Sequence, residues 1–103
     1  MEIWRNYNVR GPRIYLGKTR TAVKCHAKCV EYNEDDALED QFKCAVWKWK
    51  KRSRKVPLKQ RGKCFMLRYM TSERFPSKTW VSGWNTWRLG EGTLRARIRK
   101  RQP

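Results

Sequence analysis

An α+β fold, with one main helix packed on an antiparallel β-sheet and held by two disulfides, is what this sequence predicts. Three observations carry it. Cys25 and Cys29 stand four residues apart in a stretch of helical periodicity, so both thiols leave one helix face about 6 Å apart. Residues 44–49 (CAVWKW) and 64–69 (CFMLRY) each open on a cysteine and alternate bulky side chains as strands do. A chain of 103 residues fits one domain and buries only about two-thirds of its unfolded surface, so a modest core needs staples.

Each element has its own signal. Residues 3–9 alternate, with Ile3, Arg5 and Tyr7 on one side and Trp4, Asn6 and Asn8 on the other, and Gly11-Pro12 ends this first strand. From Thr19 or Thr21 to about Tyr32 there is an N-cap candidate, then good helix formers with Ala22, Cys25, Cys29 and Val30 at near-helical spacing. The acidic stretch after it either extends the helix or forms a solvated loop. Residues 44–49 and 64–69 read as two paired strands joined by a basic loop. A further strand is expected around residues 79–81, closed by Ser82-Gly83 as a turn. This gives a single domain over residues 1–90 and a basic C-terminal extension over 91–103.

Four cysteines allow three pairings, and a bond between Cys25 and Cys29 would break the helix that holds them. Two cross-pairings to Cys44 and Cys64 remain, each closing a loop that stabilises by about 2–4 kcal/mol. Zinc is not expected, because its ligands come as two close pairs and Cys44 and Cys64 are far apart in sequence. His26 points away from the cysteine face and is expected at the surface. No cofactor is implied.

The ordered pieces RGPRIY, CHAKC, CAVWKW, KVPLKQRGKC, CFML and VSGW resemble a PAN/apple domain, in the short form found in bacterial extracellular proteins. In that family the second strand cysteine is followed by an aromatic and then Leu, as Cys64, Phe65 and Leu67 stand here, and a closing Ser-Gly is matched by Ser82-Gly83. The resemblance implies a curved sheet under the helix, and nested disulfides joining Cys25 to Cys64 and Cys29 to Cys44. Two features depart from it. Neither terminus carries the cysteine that ties the ends of larger apple domains, and the loop between the strand cysteines is more basic than usual.

Charge is the most extreme property: 26 Lys and Arg against 9 Asp and Glu give +17, which attracts polyanions at long range. It is also segregated. Glu31, Glu34, Asp35, Asp36, Glu39 and Asp40 form one acidic run, which lacks the alternating ligands and central Gly of a calcium loop. Residues 48–63 contain no acid and carry Lys48, Lys50, Lys51, Arg52, Arg54, Lys55, Lys59, Arg61 and Lys63, the candidate polyanion-binding set. Trp47 and Trp49 share one side of their strand, as core under the helix or as a platform for sugar rings. Trp80, Trp84 and Trp87 form a second aromatic group, and Trp84 to Trp87 has the spacing of a C-mannosylation acceptor. In the extension, Arg95, Arg97, Arg99, Lys100 and Arg101 surround an alternation of Leu94, Ala96 and Ile98 that suits a strand added to another chain's sheet edge.

One histidine, no Gly-rich phosphate loop and clustered acids make a poor catalytic inventory, so a non-enzymatic role is expected. No apolar run reaches the roughly 20 residues of a membrane span, and the first residues lack the order of a signal peptide, so export would need a leader outside this sequence. The leading expectation is an extracellular binding or adhesion module for an acidic polysaccharide or an acidic protein surface. A structural subunit of an extracellular filament or surface assembly, joined into a homo-oligomer or polymer through its termini, is the alternative. Nucleic acid is the third candidate partner, disfavoured by oxidised cysteines.

Overall fold

In the computed structural model, which describes residues 2–34, 39 and 42–85, Thr21 is where the chain turns helical. Its backbone is extended and its hydroxyl accepts the Lys24 N–H at 3.2 Å, satisfying a donor that the first turn leaves orphaned. Helix α1 covers Ala22–Tyr32 and buries Ala22, Cys25 and Cys29. It stops at Asn33, whose N–H bonds back to the Val30 carbonyl, so the acidic run does not extend it. Glu31, Glu34 and Glu39 are exposed, while Asp35, Asp36 and Asp40 lie outside the described residues.

Five strands form one antiparallel sheet: β1 (Glu2–Asn8), β2 (Arg13–Lys18), β3 (Val46–Lys50), β4 (Lys63–Leu67) and β5 (Phe75–Trp84), in the order β1-β5-β3-β4-β2. The two N-terminal strands therefore take opposite edges. Both edges carry a β-bulge, at Asn6 with φ 64° and between Tyr15 and Gly17, where Gly17 has φ 99°. A bulge bends its strand and spoils the edge as a template for other chains. The first bulge also corrects the expected facing of β1, since Ile3 packs on the helix side and Tyr7 on the other side with Trp4.

Ser82 and Gly83 do not form a turn. They lie inside β5, Ser82 opposite Trp4 and Lys48, Gly83 opposite Ile3 and Trp47, because ladders on both sides hold them extended. The strand is ten residues long rather than the three or so around residue 80.

The sheet has two cores, one on each face. Toward α1, the four cysteines pack with Ala22, Trp47, Met66 and Val81. Cys25 is bonded to Cys64 and Cys29 to Cys44, fixing the helix to the beginnings of β4 and β3. The buried Asn33 side chain adds a polar clamp, accepting the Cys44 N–H at 2.7 Å and donating to the Cys44 carbonyl at 2.9 Å. On the opposite face Trp4, Val9, Val46, Leu67 and Met70 cluster under the crossover that joins β1 to β2. Gly11 is required in that crossover, since a Cβ there would meet the Tyr69 carbonyl oxygen at 2.5 Å. The boundary expected at residue 90 and the extension beyond it fall outside the described residues.

Candidate anion-binding site

Helix α1 covers only part of its face of the sheet. Beyond it, Arg5, Val81 and Trp49 form a cross-strand row, with Arg5 opposite Val81 and Val81 opposite Trp49. This row floors a groove of about 860 Å³. One wall is the end of β2 at Lys18 with Thr19 and Arg20 before α1; the other is the β3–β4 loop, through Lys51, Arg52, Ser53, Leu58 and Arg61. Six cationic residues and no acidic one line it among the described residues: Arg5, Lys18, Arg20, Lys51, Arg52 and Arg61.

The walls are built structures. The loop is pinned by the buried Val56, by a Val56 N–H bond to Ser53 and by Arg61, whose Nε–H donates to the Val56 carbonyl at 2.8 Å. Gly62 ties the walls together: its N–H bonds the Lys50 carbonyl and its own carbonyl accepts the Thr19 N–H, both at 2.8 Å. With φ 78° and only 2.7 Å between a would-be Cβ and the Thr19 oxygen, the position requires glycine. Trp49 closes the circuit, its indole N–H donating to that same Thr19 carbonyl at 3.2 Å. Lys51 bonds Asn6 at the β1 bulge, and with Lys55 and Lys78 it carries the positive charge on into an adjoining depression beside Pro76 and Ser77.

The topology splits the nine basic residues of 48–63. Lys51, Arg52 and Arg61 reach the groove, and Lys55 its neighbour. Arg54 and Lys59 are exposed and line neither. Lys48, Lys50 and Lys63 belong to strands and face the other side of the sheet, where each lies over an aromatic ring. Arg5, Lys18 and Arg20 are groove residues that sequence reasoning missed. They stand singly in the chain, and only the Lys18-Thr19-Arg20 run ahead of the helix cap hinted at a second contributor.

Lys48 is withdrawn from solvent, 6% exposed, with its ammonium donating to Val9 O at 3.1 Å and Asn8 Oδ1 at 3.3 Å. Burial, then Arg13, Lys50 and Arg10, lower its pKa from 10.5 to about 8. The unfolded chain thus holds the proton more tightly, so the penalty stands in full below pH 8 and is relieved as pH rises toward 10.5. Between pH 8 and 10.5 wild type should gain up to about 3 kcal/mol relative to Lys48→Met, read as urea midpoints across that range; parallel curves would refute the assignment. Burial, then Arg13, lowers Lys50 in the same direction.

The tryptophans divide as well. Trp47 is fully buried in the helix-side core, and Trp49 is half-buried at the groove floor. Trp80 lies beneath Lys48 and Lys50 on the far face, whereas Trp84 packs edge-on against Trp4 at 5.2 Å, so the two are not one cluster. Trp87 and the tail residues Arg95, Arg97, Arg99, Lys100 and Arg101 lie outside the described residues. His26 is half-buried rather than at the surface, because its ring lies edge-on to Trp47 at 5.7 Å, and burial lowers its pKa. All four cysteines are oxidised in pairs, which leaves no thiolate to hold zinc.

In comparisons with known proteins, no family model and no curated protein matches the chain.

Proposed function

We propose that this chain is a non-catalytic extracellular binding module of the PAN/apple type, and that it holds an acidic polysaccharide in the groove over Arg5, Val81 and Trp49. The convergence of six cations from three separate segments on one walled groove, without a lining carboxylate, is the observation that carries the reading. Cations gathered this closely repel one another and are stabilised by a polyanion that neutralises several at once. Trp49 and Val81 on the floor and Leu58 in the wall add an aromatic and aliphatic surface suited to the C–H faces of sugar rings, with charges around it for sulfate or carboxylate groups.

The helix on a five-stranded antiparallel sheet and the nested disulfides support the PAN/apple assignment. Disulfides also persist in oxidising compartments, which favours a polysaccharide over nucleic acid as the polyanion. Among the described residues no helix is long and apolar enough to cross a membrane.

Binding of the full chain to heparin, polygalacturonate, single-stranded DNA and a neutral glucan at physiological salt tests the choice of ligand. One of the two acidic polysaccharides should bind tightest, and Trp49→Ala should weaken it about tenfold through loss of the floor and its bond to Thr19. Tighter binding of DNA, or equal binding of the neutral glucan, would overturn the reading.

A further inference from the structure

The sheet face turned away from α1 carries charge that the groove does not use. The rings of Tyr15, Phe65 and Trp80 run across it, with successive centroids 5.4 and 6.0 Å apart. Arg13 lies over Phe65 at 4.4 Å, and Lys50 over Trp80 at 4.6 Å. Lys48 fills the space between as the direct cross-strand neighbour of Phe65. The bonds of Lys48 and Lys50 go to neutral groups, those of Asn8, Val9 and Thr79. The β1–β2 crossover covers the end of this face around Val46 and Leu67, while Arg13 and the half-exposed Tyr15 stay open to solvent.

We propose that this face is a second binding site for the same class of acidic polysaccharide, so that one chain bridges two polymer strands held on opposite sides of its sheet. The inference rests on the groove reading for the class of ligand. Charge complementarity supplies its argument. A cation resting on a ring is attracted from one side only, so the strip holds Arg13 and Lys50 in place with their outer sides free for an anion. The rings thus do for this face what Gly62 and the loop do for the groove: they preorganise the charges.

The two sites share no side chain: Arg5, Val81 and Trp49 floor the groove, and Arg13, Lys50, Phe65 and Trp80 make the strip on the other face of the same sheet. Both can therefore fill together, and a polymer long enough to meet two protein molecules becomes a cross-linked network.

Two measurements on the full chain test this. With a short heparin oligosaccharide, calorimetry should give two bound per wild-type chain and one for Arg13→Gln with Lys50→Gln. With long heparin, light scattering near equivalence should fall at least tenfold for that variant. Lys24→Gln with Lys28→Gln, on the helix, removes the same net charge and should keep both wild-type stoichiometry and scattering. One site per wild-type chain, or equal losses in the two variants, would overturn the proposal. Failure of the groove reading is a separate result: groove substitutions would then leave the oligosaccharide affinity unchanged.

Discussion

Replacing Cys25 and Cys64 by serine is expected to cost about 4 kcal/mol and to leave little folded protein at 37 °C. The bond closes a separation of 39 residues, and in the chain-entropy account a loop of that size restrains the unfolded chain by about this amount. The Cys29–Cys44 bond closes 15 residues, for about 3 kcal/mol. The loss is large against the roughly 5–15 kcal/mol that holds a small domain together. It is compounded at the site itself, since all four sulfurs sit in the helix-side core and serine hydroxyls would be buried among Trp47, Met66 and Val81. Urea unfolding of the two double variants should rank them in that order. A loss below about 1 kcal/mol in both would show that helix packing, not cross-linking, holds α1 to the sheet.

The second large effect concerns binding. Arg5, Arg20 and Arg52 come from β1, the β2–α1 segment and the β3–β4 loop, and all three are exposed. In the background of Arg13→Gln with Lys50→Gln, where the groove is the remaining site, changing all three to glutamine should weaken heparin binding about 100-fold at low salt, on the basis of roughly 1 kcal/mol for each charge-assisted contact. It should also flatten the dependence of log affinity on log salt by roughly 0.7–0.9 per lost contact, because a contact that is not made releases no counterion. Lys24, Arg54 and Lys59 changed together remove the same charge from outside the groove. Their substitution should cost no more than about threefold, through the long-range field alone. Equal losses in the two triples would mean that net charge, and not the groove, attracts the polymer.

Much of this fold is written in local sequence. Thr21 and the period of Ala22, Cys25 and Cys29 place α1, and the alternation around Trp47 and Phe65 places β3 and β4. What failed is where tertiary pairing overrides a local breaker. β2 went unread because Gly17 interrupts its alternation at the bulge. β5 was read too short because Ser82-Gly83 looks like a turn. Pro76 pairs only with β1, beyond the point where β3 ends opposite Trp80, so its missing N–H breaks no ladder to β3.

The site was legible only in part, for a related reason. A dense run of basic residues in the sequence suggested one continuous patch, but residues in strands alternate faces and residues in loops follow their own turns. Lys48 and Lys50 consequently left the patch for the far face, and Arg5, Lys18 and Arg20 joined it from distant segments. Only the sheet order, with β1 and β2 at opposite edges and both ends of the row meeting the β3–β4 loop, brings them together.

Heteronuclear NMR with a short heparin oligosaccharide locates the bound ligand most directly. The Trp49 indole N–H and the Arg5 and Arg52 Nε–H resonances should shift and saturate together, while those of Arg54 stay in place. Groove resonances that do not move while Arg54 shifts would place the ligand on the open loop and contradict the account.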